Sequence, residues 1–380
     1  MQSRRRVRMR RTSRWSTLLA GACAGTLLLT GCGAQATDEA EVSRRSAEPV
    51  PTGVDCAGEG KARGSGSTAQ QSAMEHWIDA YQRACPSAQI AYNPLGSGAG
   101  VAQFQRGATA FGATDGVLSK QEIAWSREVC RGGRAIHLPM AGGPVAIGFH
   151  LPGVENLVLD APTLAKIFDS RITTWDAPAI KKLNPGTKLP SLPIRPMHRS
   201  DDSGTTQNFQ EYLAGAAPED WPHPAGKAWE GKGGGSATGS SRVAAEVSSS
   251  EGTIGYFELS SAVSRKITTV SIDTGAGEPV APTTETASAG IGAADIVGEG
   301  HDKTLAFDYD APKPGAYPIV LMTYEVVCDK GNQAASLPVL KSFLSYTAST
   351  EGQKHLAALH YAPLPAAVAT EVRRAVRSLS

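Results

Sequence analysis

Three short segments combine glycine with hydroxyl side chains in an arrangement that can bind an oxyanion. They are residues 64–68 (Gly-Ser-Gly-Ser-Thr), 96–100 (Gly-Ser-Gly-Ala-Gly) and 203–206 (Ser-Gly-Thr-Thr). Each precedes a helical pattern, so each would present hydroxyl and unpaired backbone N–H groups at the positive end of a helix dipole. One such turn alone is more often an ordinary Ser or Thr cap. Three together, with Arg199 just before the third, favour an anion site.

Asp115 follows the segment Phe-Gly-Ala-Thr at residues 111–114 and would restrict which anion can bind. An ionised carboxylate repels an oxyanion unless a proton lies between them, and both HPO4 2− and H2PO4 − carry a proton that Asp115 could accept. Sulfate has none at neutral pH, so its lone pairs would face those of the carboxylate in a desolvated site. Asp115 therefore predicts a protonated oxyanion; the alternative is a carboxylate that caps a turn.

The sequence lacks the motifs that an enzyme acting on phosphate would need. It has no Gly-x-Ser-x-Gly elbow, no P-loop and no histidine pair with metal-ligand spacing. We therefore expect a binding protein without catalysis, without a cofactor and without a metal. Two other roles stay open: a binding protein for another oxyanion such as sulfate or molybdate, and a surface lipoprotein with no part in transport.

The first 31 residues have the pattern of a bacterial export signal. Seven arginines and no acidic residue lie between Arg4 and Arg14, and a mainly apolar stretch follows that is too short for a permanent membrane span. Leu-Thr-Gly-Cys at residues 29–32 resembles a lipobox, which predicts that Cys32 is lipidated and anchors the protein to the extracytoplasmic face of the cell membrane. An ordinary cleaved signal with an incidental Cys32 is the alternative, and the arginine cluster leaves Sec and twin-arginine export open.

The segment after the signal and the charge of the mature chain limit the partners. Residues 32–55 are acidic and rich in Ser, Pro and Ala, which is typical of a flexible tether. Without residues 1–31 the chain has 37 − 7 = 30 basic and 36 acidic side chains, a net charge of −6. A protein of this charge cannot attract an anion by its overall field, so the site must be built from local groups. The same charge argues against nucleic acid as a partner.

Four cysteines remain after the signal and the lipidation site: Cys56, Cys85, Cys130 and Cys328. An even number in an exported protein predicts two disulfide bonds, for which three pairings are possible. We favour Cys56–Cys85, which would bracket one strand–helix unit, and Cys130–Cys328, which would join two crossover regions.

Apolar periodicity predicts alternating strands and helices from Cys56 onward. Met74, Trp77, Ile78 and Tyr81 recur on one face of a helix, and the apolar stretches 139–149 and 317–327 predict long buried strands. Further helices are predicted at 101–106, 163–168, 207–213, 241–247, 339–346 and 366–379. This alternation predicts an α/β fold with mostly parallel sheets.

The motifs, in their order and spacing, resemble the periplasmic phosphate-binding protein family PstS over nearly all of residues 58–375. The resemblance is carried by the segments 64–68, 96–98, 111–115 and 199–205. It is supported by shorter stretches at 167–168 and 172–175 (Ile-Phe and Ile-Thr-Thr-Trp), 183–186 (Leu-Asn-Pro-Gly) and 252–256 (Gly-Thr-Ile-Gly-Tyr).

This resemblance implies a type II periplasmic-binding fold, in which two α/β lobes hold phosphate between them. Lobe I would comprise residues 56–140 and 318–380, and lobe II residues 141–317, with crossings near Met140-Ala141 and Tyr317-Pro318. It also implies the membrane permease and ATPase subunits of a phosphate ABC transporter as partners, and we expect a monomer.

By the same resemblance, phosphate would be held by hydroxyl groups, backbone N–H groups, one arginine and one carboxylate: Thr68, Ala69, Ser97, Asp115, Arg199, Ser203, Gly204 and Thr205. Arg199 would form charge-assisted hydrogen bonds, and Asp201 would orient its guanidinium. The family usually has an aromatic residue at the position of Ala69. Because the contact there is through the backbone N–H, we expect binding to survive this departure.

Overall fold

The computed structural model describes residues 50–309 and 313–380, and these form an α/β fold of two lobes. Its strands are β1 Gly60–Gly66, β2 Ala88–Pro94, β3 Phe111–Thr114, β4 Ala135–Phe149, β5 Val158–Asp160, β6 Arg195–Arg199, β7 Gly235–Ala237, β8 Thr253–Glu258, β9 Thr268–Thr269, β10 Ser271–Asp273, β11 Asp295–Ile296, β12 Leu305–Ala306 and β13 Val320–Cys328. Its α-helices are α1 Gln71–Ala84, α2 Ser97–Gln105, α3 Lys120–Val129, α4 Ala161–Phe168, α5 Pro178–Leu183, α6 Gly204–Ala216, α7 Ser240–Ser249, α8 Leu259–Ser264, α9 Thr284–Ile291, α10 Leu337–Thr347, α11 Thr350–Gln353 and α12 Ala366–Ser378. None of these helices is long and apolar enough to cross a membrane.

The largest sheet has the strand order β2-β1-β3-β13-β4-β8-β6-β7, with β9 beside β4. Strands β1–β3 form one group and β6–β8 another, and within each group the strands pair in parallel, as predicted. The prediction of mostly parallel pairing is wrong at the centre, where β13 pairs antiparallel with both β3 and β4. The reason is that β4 and β13 carry the chain between the lobes in opposite directions.

β4 joins the two lobes, and the whole strand is buried. Its residues 135–144 pair with β13, and residues 145–149 pair with β8. The β4–β13 pairing shifts register between Thr323 and Tyr324, whose partners are Ala141 and Pro139, so Met140 is bulged out of the ladder. Such a bulge bends and twists a strand pair locally. It lies where the sequence predicted the first crossing between the lobes.

Aromatic side chains pack helices together in two places. In the first lobe Tyr81 of α1 packs edge-on against Phe343 of α10, with 5.4 Å between the ring centroids. In the second lobe Phe209 of α6 lies 4.8 Å from Phe168 and 4.8 Å from Tyr256, centroid to centroid. Burial of large side chains of this kind is the main driving force for such packing, because it removes apolar surface from water.

Two disulfide bonds are present, in the pairing that the sequence analysis favours. Cys56–Cys85 links the segment before β1 to the end of α1, with 5.6 Å between the Cα atoms. Cys130–Cys328 links the end of α3 to the end of β13, with 5.3 Å between the Cα atoms. The second bond closes a far longer loop of chain than the first, since its cysteines are 198 residues apart rather than 29.

Candidate anion-binding site

Four helix N-termini lie close together. The three glycine–hydroxyl turns lie at the starts of α1, α2 and α6, and α7 begins beside them. Hydrogen bonds join these ends: the Gly204 N–H donates to Ser97 Oγ at 3.0 Å, and the Ser240 N–H donates to Thr68 Oγ1 at 3.3 Å. Several converging helix N-termini favour a bound anion through their unpaired N–H groups and their dipoles.

Asp115 lies at the end of β3 and is almost fully buried, with 2% of its surface exposed. Ser67 Oγ donates to Asp115 Oδ1 at 2.5 Å, and Ser97 Oγ donates to Oδ2 at 3.4 Å. Burial raises the pKa of this carboxyl to about 6, although the Ser67 hydrogen bond and the charge of Arg199 act to lower it. At neutral pH the carboxylate is therefore mostly ionised and can accept a proton from a ligand.

Gly204 allows the start of α6 to approach the Asp115 turn closely. A Cβ atom at this position would lie 2.6 Å from the Asp115 backbone nitrogen. Any larger residue would push the two lobes apart, so the contact between Gly204 and Ser97 depends on glycine. Glycine is required at position 204 because the Asp115 backbone lies so close, and not because the backbone at Gly204 has a positive φ angle.

Arg199 ends β6 and is buried, with 2% of its surface exposed. Its Nε donates to Asp201 Oδ1 at 2.8 Å, its Nη2 donates to Asp201 Oδ2, and its Nη1 donates to Ser240 Oγ at 3.1 Å. Burial favours the neutral form of the Arg199 guanidinium, but the hydrogen bonds and charge of Asp201 outweigh this effect. The pKa of Arg199 is therefore raised, and the side chain stays positively charged. Because guanidinium has five N–H donors, the hydrogen bonds among the described residues leave two for an anion.

The backbone of Arg199 is held by the aromatic cluster of the second lobe. Its N–H donates to Tyr256 Oη at 3.1 Å, and the same phenol is 2.6 Å from Thr206 Oγ1 in α6. Tyr256 thus connects the strand that carries the arginine to the helix whose N-terminus faces the site. Tyr256 therefore fixes the backbone of Arg199, and Asp201 fixes its guanidinium group.

Ser203 and Thr205 stand at the N-terminus of α6 in different roles. Ser203 Oγ caps the helix by accepting from the Thr206 N–H at 3.2 Å. Thr205 is fully buried, and its hydroxyl has no hydrogen-bond partner among the described residues. A buried hydroxyl is rarely left without a partner, because desolvation costs about 1–3 kcal/mol. The Thr205 hydroxyl is therefore suited to bond an anion at this helix end.

Lys227 connects this helix start to α3. Its backbone carbonyl accepts from the Ser203 N–H at 2.9 Å. Its Nζ lies 2.9 Å from both carboxylate oxygens of Glu122 in α3. One residue thus contacts both the turn at the start of α6 and the helix that follows the Asp115 segment.

The structure brings most of the predicted site residues together. Ser97, Asp115, Arg199, Asp201 and the turn from Ser203 to Thr205 form one cluster. Thr68 joins this cluster through Ser240, whose Oγ lies 3.2 Å from the Thr68 hydroxyl. The Ala69 N–H donates to Ser67 Oγ at 3.0 Å.

Three further residues contribute to the cluster and were missed by sequence reasoning. Ser67, one residue before the predicted Thr68, donates to Asp115, and Ser240 bridges Thr68 and Arg199. Gly-Ser-Ser at residues 239–241 is a fourth turn of the same glycine–hydroxyl type, so Ser240 could have been found by the same rule. Glu258 is buried nearby, and burial raises the pKa of its carboxyl to about 7; no motif marks it.

Comparisons with known proteins identify relatives of this chain and a structure that shares its fold. Residues 46–351 match the family model of the PBP superfamily domain. The chain is 40% identical over 368 residues to the phosphate-binding protein PstS 3 of Mycobacterium leprae, which covers 95% of this chain and 98% of that protein. It is 41% identical to the phosphate-binding protein PstS 2 of Mycobacterium tuberculosis, covering 94% of this chain and 96% of that protein. Its fold matches a high affinity periplasmic phosphate-binding protein, PfluDING, solved with phosphate bound, at a TM-score of 0.66 and 20% identity, covering 83% of this chain and 93% of that one.

Proposed function

The chain belongs to the PBP superfamily and, within it, to the PstS family of phosphate-binding proteins, and we propose that it binds inorganic phosphate between its two lobes and delivers it to an ABC-type phosphate importer. The observation that carries the proposal is that Asp115 and Arg199 are both buried and each bonds a serine at a helix N-terminus, Ser97 and Ser240 respectively. Arg199 and the helix ends require a negative charge, while Asp115 requires a proton on the same ligand. Phosphate meets both requirements.

We propose lobe I as residues 56–140 with 318–380, and lobe II as residues 141–317. Contacts of Gly204 with Ser97, of Asn208 with the Asp115 carbonyl at 2.7 Å, and of Lys227 with Glu122 would then all join the two lobes. An anion that touches both lobes stabilises this closed arrangement, since only the closed form makes all its contacts. The closed form would be the one recognised by the permease and ATPase subunits of the importer.

The role is that of an extracytoplasmic binding protein, as family membership indicates, and we propose that it has no catalytic activity. No group of three or more His, Cys, Asp or Glu side chains within residues 50–309 and 313–380 could hold a metal ion. We further propose attachment to the membrane through lipidated Cys32. That cysteine lies outside the described residues, and its support is the lipobox pattern of residues 29–32. Mass spectrometry of the membrane-extracted protein would test the lipid.

Titration calorimetry tests the proposed function directly. We expect phosphate to bind at neutral pH and a large excess of sulfate to compete little, because sulfate offers Asp115 no proton. Equal affinities for phosphate and sulfate would contradict the role of Asp115 in selecting a protonated anion, although the protein would still have an oxyanion site. Absence of phosphate binding would contradict the function itself.

Replacing Arg199 by Ala is expected to weaken phosphate binding by about 1.5–3 kcal/mol, the range for a hydrogen bond to a charged group. Calorimetry at neutral pH measures the change. Arg195→Ala is the matched control, because Arg195 lies on the same strand but is exposed, and its removal should leave affinity unchanged. An Arg199→Ala protein with wild-type affinity would place the site elsewhere.

A further inference from the structure

Besides Ser97, whose Oγ accepts from the Asp115 N–H at 3.4 Å, three side chains hold the turn that carries Asp115. Thr114 Oγ1 donates to the Gly116 carbonyl at 2.9 Å, and Asn208 Nδ2 donates to the Asp115 carbonyl at 2.7 Å. The third is His137 of β4, whose Nε2 accepts from the Leu118 N–H at 3.0 Å. His137 is buried, with 1% of its surface exposed, and no role in anion contact accounts for it.

The partners of His137 determine where its proton lies. A backbone N–H can only donate, so Nε2 must carry a lone pair to bond Leu118. Nδ1 lies 2.9 Å from Asp302 Oδ1, which accepts a proton from it. The imidazole is therefore neutral, with its proton on Nδ1, as expected when a carboxylate fixes the tautomer.

The partners of Asp302 keep its carboxylate in the ionised form, which can only accept hydrogen bonds. Its Oδ1 also receives the His137 backbone N–H at 3.0 Å, and Arg134 Nη1 lies 3.7 Å from its Oδ2. Burial alone would raise the pKa of Asp302, but the His137 hydrogen bonds and the charge of Arg134 outweigh it, so the pKa is lowered. Tyr324 covers the imidazole edge-on, with 5.5 Å between the ring centroids. The tautomer of His137 is thus fixed by an ionised carboxylate.

We propose that His137 is a positioning residue for the anion site: its neutral imidazole, oriented by Asp302, holds the turn so that the Asp115 carboxylate meets the proton of the ligand. This inference rests on the proposed phosphate-binding function. Arg199 would contact the anion from β6, where Tyr256 and Asp201 hold it without help from this turn. Loss of His137 should therefore reduce discrimination against sulfate more than it reduces affinity for phosphate.

The test compares the dissociation constants of sulfate and phosphate in three variants. His137→Leu removes the acceptor for Leu118, so the Asp115 carboxylate is no longer held against the ligand, and the sulfate-to-phosphate ratio should fall about tenfold, as for the loss of one buried hydrogen bond. His137→Gln supplies an amide oxygen for the same N–H and should restore the ratio to within about threefold of the wild type. Ile136→Val, a change at the neighbouring buried residue of β4, controls for a loss of packing and should leave the ratio unchanged.

A second measurement uses only the wild-type protein, so it does not depend on whether the variants fold. Nitrogen–proton correlation spectra of the imidazole in the wild-type protein should show the proton of His137 on Nδ1 and none on Nε2. A proton on Nε2, or a His137→Leu protein with the wild-type ratio, would overturn the inference. If the wild-type protein failed to bind phosphate, the proposed function would fail instead, so the two failures are distinguishable.

Discussion

An Asp115→Asn variant is expected to lose most of the preference for phosphate over sulfate. Asparagine has nearly the shape of aspartate, but its amide group can donate to an unprotonated sulfate oxygen, so two sets of lone pairs no longer face each other. Removing an unpaired buried contact of this kind is worth about 1–3 kcal/mol, which corresponds to about 5- to 150-fold in the ratio of dissociation constants. Competition calorimetry at pH 8 measures that ratio.

The same preference should depend on pH in the wild-type protein. Burial raises the pKa of Asp115 to about 6, so the carboxylate is an acceptor well above this pH and a neutral donor below it. A neutral carboxyl can bond sulfate, and discrimination should therefore fall as the pH falls through about 6. In Asp115→Asn this part of the pH dependence should disappear.

Asp202→Asn is the matched control for charge, since it removes one carboxylate from the neighbouring loop and leaves Asp115 intact. It should keep both the preference for phosphate and its pH dependence. If Asp115→Asn and Asp202→Asn gave the same ratio as the wild type, discrimination would have to come from another feature of the site.

Removing the Cys130–Cys328 bond, by replacing both cysteines with Ala, is expected to lower the free energy of unfolding by roughly 3–5 kcal/mol. The bond joins residues 198 apart in sequence and so restricts a large part of the unfolded chain. Urea unfolding monitored by circular dichroism measures the loss. Phosphate affinity of the folded variant should stay within about threefold of the wild type, because the bond lies outside the anion cluster.

The second disulfide provides an internal comparison. Cys56 and Cys85 are 29 residues apart, so their replacement by Ala should cost less, roughly 2–4 kcal/mol, on the same loop-entropy argument. A larger loss for Cys56–Cys85 than for Cys130–Cys328 would show that loop length does not control the stability contributed by these bonds.

Local chemistry explains which parts of the site could be predicted from sequence. The turns at 64–68, 96–100 and 203–206 each precede a short-range helical pattern, and Ser203 caps its helix with its side chain. Ser240 obeys the same rule but lies in the glycine-rich stretch 231–241, whose composition is that of a linker. Helix α3 was also missed, although Ser119 and Glu122 form a capping box at its start.

Contacts distant in sequence could not be predicted in this way. The hydrogen bond between His137 and Asp302 joins residues 165 apart, and no periodicity in either segment indicates it. The antiparallel centre of the sheet has the same origin, because β13 pairs with β3 and β4 although all the strands from β5 to β12 lie between them in the sequence. Thr68 and Ser67 differ in role because the backbone direction at the start of α1 decides which hydroxyl faces Asp115.

The bulge at Met140 has a mechanical consequence. Paired residues on both sides of it, Pro139 with Tyr324 and Ala141 with Thr323, keep β4 and β13 side by side, and the Cys130–Cys328 bond closes this ribbon at one end. We expect β4 and β13 to keep their pairing and not to slide past each other. The strand pair should twist more readily at the bulge than elsewhere, about one preferred twist angle. Substitutions at Met140 should then alter how far and how fast the cleft opens without touching any group that contacts the anion.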